Sequence, residues 1–224
     1  MKNLINPTPL ILVNFKNFLE CSGALSFQLA KKLQKSADDT GLQIAISVQS
    51  FLLSEMVKYT DLKIMSQHLD AKSEGSTTGS LIPEVLNSVG GWGSLLNHSE
   101  KRIPLEDVEK IVNRMNELGL VSIVCVENVE EVGIVSKFKP NFIAIEPPEL
   151  IGGDISVSTA KPELITESVL AAGEVSVLVG AGIKNGDDLK IALALGAKGV
   201  LVASGVCKAK DPYEVMLDFA KAIN

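Results

Sequence analysis

The chain has 224 residues, of which 46% are hydrophobic and 21% charged, and its formal net charge is −6. This composition is typical of a globular domain and excludes disordered and fibrous proteins. The acidic balance argues against a basic face that binds nucleic acid. No apolar run reaches the ~20 residues that a membrane-spanning helix needs. We therefore expect neither a nucleic acid nor a membrane as a partner.

The cysteines indicate the cellular compartment in which the protein is expected. Cys21, Cys125 and Cys207 are odd in number and have no metal-ligand spacing, which is typical of reduced intracellular thiols. The first apolar run, residues 9–13, ends at Asn14 and is too short for the core of a signal peptide. We expect a cytoplasmic protein.

Short apolar runs alternate with longer amphipathic patterns along the whole chain. The predicted strands are 9–13, 43–48, 62–66, 93–96, 121–126, 141–145, 175–179 and 199–203. The predicted helices are 24–35 with an end near residue 41, 51–58, 82–87, 104–118, 129–137, 162–172, 187–195 and 212 to the end. The fourth helix has the clearest signals: Pro104 is expected at its first position, Glu106 and Asp107 in its first turn, and Gly119 after its end.

This alternation predicts the fold. Continuous apolar strands that alternate with helices predict a parallel sheet covered on both sides. Eight strand–helix units, with no linker between them, predict one domain, residues 1–224, folded as a (β/α)8 barrel. A doubly wound open sheet is the alternative, although about six strands are more usual for it. The helices are short for a barrel of ~250 residues, so we expect an oligomer.

Polar residues follow several strands at the end where a parallel barrel has its mouth. Asn14 and Lys16 follow strand 1, His98 follows strand 4, and Glu146 follows strand 6. Glycine-rich turns follow strands 7 and 8. Each feature alone is commonly structural, but together they are suited to acid–base chemistry beside a phosphate. No His, Asp and Glu cluster has metal-ligand spacing, and we expect neither a metal nor a cofactor.

Five segments, in order and at matching intervals, resemble the archaeal form of the triosephosphate isomerase family. They are 14–16, 98–102, 144–152, 180–183 and 199–206. The resemblance spans most of the chain, and 144–152 is its most specific part. It implies a (β/α)8 TIM barrel that interconverts glyceraldehyde 3-phosphate and dihydroxyacetone phosphate, without cofactor or metal, in glycolysis and gluconeogenesis. It also implies a homo-oligomer, with a tetramer favoured and a dimer as the alternative.

The same resemblance implies a role for each residue of the site. Glu146 is the base that removes the proton beside the substrate carbonyl, and His98 is the neutral electrophile that polarises this carbonyl. Lys16 supplies positive charge for the enediolate and is paired with Glu100, while Asn14 positions Lys16 and the substrate. The implied substrate-binding residues are Asn14, Lys16, Ile151, Gly152, Gly182, Ala203 and Ser204, the last four beside the phosphate.

Three further expectations come from the resemblance. Residues 147–156 form a lid over the phosphate, but the family pattern Ile-Gly-Thr-Gly-Ile-Pro is here Ile-Gly-Gly-Asp-Ile-Ser, and Asp154 adds negative charge near the anion. The polar loop 73–80 is expected to reach a neighbouring subunit. His68 is expected to be structural, and Cys125 to be a packed thiol.

Two other functions are compatible with parts of the pattern. A lysine-dependent aldolase or decarboxylase shares the phosphate rim. It would place its Schiff-base lysine at an apolar strand end late in the barrel, whereas Lys16 follows strand 1. A barrel that only binds a partner is expected to lack one of the catalytic groups, and none is missing here.

Overall fold

The protein is described from a computed structural model that covers residues 8–150 and 156–223. Within these residues eight parallel strands close into a barrel in which each strand pairs with the next and the last pairs with the first. They are β1 Leu10–Asn14, β2 Gln43–Val48, β3 Lys63–Ser66, β4 Gly93–Leu96, β5 Val121–Val126, β6 Phe142–Ile145, β7 Ser176–Val179 and β8 Gly199–Val202. The predicted barrel is confirmed, and the open sheet is excluded.

The helices lie between the strands in the predicted order. They are α1 Ala24–Thr40, α2 Leu53–Tyr59, α3 Pro83–Ser88, α4 Leu105–Leu118, α5 Val129–Val135, α6 Val157–Ala160, α7 Pro162–Ala172, α8 Gly186–Ala194, α9 Ser204–Cys207 and α10 Pro212–Ile223. Short 3-10 helices span Leu19–Cys21, Ser50–Leu52, Ser99–Lys101, Ser136–Phe138 and Pro148–Leu150. The sequence did not predict α6 and α9, because four residues are too few to show a helical period.

The starts of α2, α3, α4 and α8 differ by one or two residues from the predicted ones. Pro104 precedes α4 instead of opening it, since its ψ of 139° is extended and Leu105 is the first helical residue. The end of α4 is as predicted: Gly119 follows it in the left-handed conformation, with φ of 71°. A glycine adopts this conformation without the clash that a Cβ brings, which explains the sharp end.

The core has two layers because successive strand residues face opposite sides. In β1, Leu10 and Leu12 belong to the cluster that fills the barrel, and Ile11 and Val13 belong to the larger cluster between barrel and helices. Burial on both sides explains why the strands are continuous apolar runs. The cysteines are buried in these layers and free.

The barrel closes where β8 meets β1, and a glycine permits this contact. A Cβ on Gly199 would lie 1.9 Å from the carbonyl oxygen of Leu10. The register places Val13 of β1 beside Val202 of β8, so the carboxyl ends of the first and last strands lie together. In the described residues no helix combines the length and apolar character needed to cross a membrane.

Candidate active site

A cavity of about 340 Å³ lies at the carboxyl ends of the strands. All the predicted site residues in the described part of the chain line it, namely Asn14, Lys16, His98, Glu146, Gly182, Ala203 and Ser204. Ile151 and Gly152 lie outside the described residues, as does half of the predicted lid, residues 151–155. The residues that converge come from segments as far apart as 14 and 204, and the barrel alone brings them together.

The backbone of Lys16 is held by three strand ends. Its N–H donates to Asn14 Oδ1 at 2.9 Å, and its carbonyl accepts from Gln49 Nε2 at 2.7 Å and from Gln67 Nε2 at 3.0 Å. Its φ of 46° is unusual for a residue with a Cβ, and such a conformation persists where surrounding contacts fix it. The ammonium pairs with Glu100 Oε1 at 2.8 Å, as predicted. A positive charge is thus fixed at the cavity wall.

His98 precedes the 3-10 turn Ser99–Lys101, and this position orients its ring. Nδ1 accepts the backbone N–H of Glu100 at 3.1 Å. An acceptor nitrogen carries no proton, so this bond favours the neutral tautomer with hydrogen on Nε2. Nε2 lies 3.6 Å from Glu146 Oε2, and the histidine is only 5% exposed. The ring therefore presents an N–H donor to the cavity.

Glu146 follows β6 and is 6% exposed. Its backbone N–H donates to the carbonyl of Val126 at 2.9 Å, which extends the β5–β6 pairing by one residue. Its Oε2 is buried and has no hydrogen-bond partner in the part of the chain that the structure describes. Buried polar atoms are normally paired, so an unpaired carboxylate oxygen in a cavity marks a site for a proton or a ligand.

Two small residues, Gly180 and Cys125, are neighbours of the Glu146 side chain. A Cβ on Gly180 would lie 2.4 Å from Glu146 Cγ, so only glycine leaves room for the carboxylate. Cys125 lies inside the barrel, and burial, reinforced by the charge of Glu146, raises the pKa of its thiol well above the usual value. Cys125 is the packed thiol that the sequence predicts.

Two turns, after β7 and after β8, also line the cavity. Ala181 and Gly182 after β7 both have left-handed φ, 70° and 73°. After β8, Ser204 opens α9 directly, and the first N–H groups of a helix have no partner within it. A Cβ on Gly205 would lie 2.9 Å from the carbonyl oxygen of Ile183, so the two turns pack closely. Such turns bind phosphate through their N–H groups.

Three further residues of the cavity wall were not predicted from the sequence. Phe18, Lys184 and Lys208 also line the cavity, and Lys208 Nζ lies 4.4 Å from the centre of the Phe18 ring. Both lysines follow the glycine-rich turns by a few residues, and that spacing was the available signal. They add local positive charge to a protein whose net charge is negative. Local positive charge of this kind can attract an anion even where the net charge of a chain is negative.

Other polar residues of the strand ends lie outside the cavity. His68 Nε2 lies 3.2 Å from Asp70 Oδ1, which fits its predicted structural role. Asn97 is buried and bonds the backbone of Cys125 and Ile103. Among residues 8–150 and 156–223, no three His, Cys, Asp or Glu side chains are placed to hold a metal ion.

Comparison with known proteins identifies relatives over nearly the whole chain. The family model described as Triosephosphate isomerase matches residues 9–223. A protein of that name from Methanothermobacter thermautotrophicus is 43% identical over 98% of this chain and 97% of its own. One from Methanobacterium bryantii is 39% identical over 99% of this chain and all of its own. One from Sulfolobus acidocaldarius is 41% identical over 95% of this chain and 94% of its own.

Proposed function

This chain belongs to the triosephosphate isomerase family, and we propose that it interconverts D-glyceraldehyde 3-phosphate and dihydroxyacetone phosphate through an enediolate. The reaction is a step of glycolysis and gluconeogenesis. The observation that carries the residue assignment is the proximity of a buried carboxylate and an imidazole, with 3.6 Å between Glu146 Oε2 and His98 Nε2. The fixed ammonium of Lys16 lies in the same cavity wall.

Glu146 moves the proton between carbons. Its Oε2, which has no partner among the described residues, accepts the proton from the carbon beside the carbonyl and returns it to the neighbouring carbon. The electron pair left by the proton enters the carbonyl, and an enediolate forms. Because the carboxylate is buried, removal of the remaining water by the substrate strengthens every electrostatic interaction in the site.

His98 and Lys16 stabilise the charge that develops on oxygen. His98 Nε2–H donates a hydrogen bond to the carbonyl oxygen and serves in proton transfer between the two oxygens of the enediolate. Lys16 faces the same charge as a fixed cation. Asn14 accepts the N–H of Lys16 and thereby keeps the ammonium in place. Charge that is already oriented before the reaction costs no reorganisation during it.

The phosphate is held at the other end of the cavity. Backbone N–H groups of Gly182 and of the turn Ala203–Ser204 face it, and Lys184 and Lys208 add positive charge. Ile151 and Gly152 complete the binding set in this proposal, by resemblance to the family. This division leaves the three-carbon end of the substrate against Lys16, His98 and Glu146.

We also propose that residues 1–224 form one domain in a cytoplasmic homo-oligomer, with a tetramer favoured over a dimer. Large apolar side chains are exposed on the short 3-10 helices after β1 and β2: Phe51 is 99% exposed and Leu19 is 79% exposed. Exposed apolar side chains mark contacts between subunits where they join into one patch, as this proposal requires of them. Light scattering after gel filtration measures the mass, and a monomer at micromolar concentration would contradict this proposal.

A coupled assay for triose phosphate interconversion tests the proposed base. Glu146→Gln keeps the shape of the side chain but is a far weaker base, and its rate should fall by more than ~10³-fold. Glu130→Gln, the same change on an exposed helix surface, should keep the wild-type rate. Equal rates for Glu146→Gln and the wild type would reject Glu146 as the base.

Borohydride trapping separates the isomerase from the lysine-dependent alternative. Lys16 forms an ion pair with Glu100, and an ammonium in an ion pair is no nucleophile. Incubation with triose phosphate and borohydride should leave the mass of the protein unchanged. A covalent adduct at Lys16 would support the aldolase class instead.

A further inference from the structure

A buried carboxylate beneath the phosphate-binding turn has no role in the proposed chemistry. Asp188 is the third residue of α8 and is 9% exposed. Its Oδ2 accepts the backbone N–H of Lys184 at 3.0 Å, and its Oδ1 accepts the hydroxyl of Ser156 at 2.5 Å. Its own N–H donates to Asn185 Oδ1 at 3.0 Å. Both carboxylate oxygens are therefore engaged, each by a different segment.

The two segments that Asp188 joins also touch each other directly. The N–H of Val157 donates to the carbonyl of Ala181 at 3.2 Å. Ala181 has a left-handed φ of 70°, a conformation that a residue with a Cβ keeps only where its surroundings hold it. The described chain resumes at Ser156, so the contacts of Ser156 and Val157 fasten this end of the loop after β6 to the turn after β7.

The start of α5 provides an internal comparison. There Asn128 Oδ1 accepts the N–H of Glu131, and Glu131 Oε2 accepts the N–H of Glu127 at 3.0 Å. This repeats the arrangement of Asn185, Asp188 and Lys184 around the start of α8. The remaining oxygen of Glu131, however, pairs with Arg102, whereas the remaining oxygen of Asp188 accepts from the buried Ser156.

The difference between Glu131 and Asp188 indicates that Asp188 has a second role besides capping its helix. Since one carboxylate oxygen satisfies the helix start in both places, capping does not require the bond to Ser156. The bond instead joins the turn that carries Gly182 and Lys184 to the far end of the loop after β6. A carboxylate near an anion site repels the anion, so its presence there indicates a positional function that outweighs this repulsion.

We propose that Asp188 is a positioning residue for substrate phosphate. This inference rests on the proposed function. Asp188 holds the turn at residues 181–184 in register with Ser156, so that the N–H groups of the turn face the phosphate. It contacts neither substrate nor Glu146. Its loss should therefore weaken binding of every ligand that carries a phosphate, and should affect proton transfer much less.

The test compares Asp188→Ala and Ser156→Ala with Glu131→Ala. For each variant, kcat and KM are measured in the isomerase assay, and the Kd of inorganic phosphate is measured by calorimetry. Asp188→Ala should raise KM and the phosphate Kd together by ~10-fold, with kcat lowered by less than ~3-fold. Ser156→Ala removes only one of the bonds and should raise both by ~3-fold. Asp188→Asn, which keeps one acceptor oxygen, should recover part of the loss.

Glu131→Ala controls for the loss of a helix start. It should lower Tm by a similar amount but leave KM and the phosphate Kd within ~2-fold of the wild type. If Asp188→Ala does not fold, Ser156→Ala carries the test alone. An active wild type whose Asp188 and Ser156 variants bind phosphate normally would overturn the positioning role only. An inactive wild type would overturn the proposed function, whatever the phosphate Kd.

Discussion

The proposed function divides the rim of this barrel into two sectors that would contact the substrate by different means. The acid–base sector consists of Lys16, His98 and Glu146, whose side chains follow β1, β4 and β6. The proposed phosphate sector consists of the turns 180–184 and 203–205 after β7 and β8, of which residues 181–184, 203 and 204 line the same cavity. Side chains that act in the transition state raise kcat, whereas groups that bind phosphate equally in ground and transition states lower KM. Substitutions in the two sectors should therefore differ in kind as well as in size.

After the loss expected for the base Glu146, the largest effect in this comparison is expected at Lys16. Lys16→Gln removes the fixed cation and its ion pair with Glu100. It should lower kcat/KM by about 10²–10³-fold. The loss should lie mainly in kcat, because the charge on the enediolate exists only along the reaction. Steady-state kinetics of the variant measures this. Lys31→Gln, the same change on an exposed part of α1, should keep the wild-type values.

Gly180→Ala should have the next largest effect, although glycine itself carries no chemistry. The new methyl would lie 2.4 Å from Glu146 Cγ, so the base must move away from its position beside His98. Displacing a reacting group by about 1 Å can cost ~10²-fold in rate. Gly133→Ala is the matched control, because a Cβ there meets nothing within 4 Å and helix α5 gains a better helix former. A normal kcat for Gly180→Ala would show that the carboxylate has another productive position.

The two sectors also differ in how far the sequence predicted them. The strands were predicted to within one residue, because apolar runs with polar ends are a local signal. Lys16, His98 and Glu146 could be named as candidates because they follow such runs and match a family pattern. Asp188 lies in a polar helix start like many others, and its importance depends on Ser156, 32 residues away. Contacts of that kind arise from tertiary packing and have no local pattern.

Some parts of the site stay predictions. Ile151, Gly152 and Asp154 are outside the described residues, and the effect of Asp154 on the predicted lid rests on the family pattern alone. Lys184 and Lys208 are in the cavity wall but were not predicted. A lysine near a turn is usually solvated, so its residue type carries little information until the barrel shows which way the turn faces.

In the phosphate sector, Gly182→Ala should raise KM by ~10-fold and lower kcat by less than ~3-fold. A Cβ strains a residue whose φ is 73°, so the turn shifts and its N–H groups lose alignment with the phosphate. Gly173→Ala is the control, because Gly173 also has a left-handed φ, 62°, but follows α7, and a Cβ there meets nothing within 4 Å. If Gly182→Ala and Gly173→Ala raised KM equally, the effect of Gly182→Ala would be explained by general backbone strain and not by the phosphate-binding turn.

The smallest effect tests how independent the acid–base sector is of its outer partners. The side chain of Glu100 is 60% exposed, whereas that of its partner Lys16 is 15% exposed. Water and salt therefore screen this ion pair only from the side of Glu100. Glu100→Gln keeps a hydrogen-bond acceptor for the ammonium and should lower kcat by only ~2–5-fold. High salt should reproduce part of this loss in the wild type but little of it in the variant. A loss near that of Lys16→Gln would mean that Glu100 is required to orient the ammonium, since three hydrogen bonds already fix the backbone of Lys16. The acid–base sector would then extend to a residue at the solvent edge.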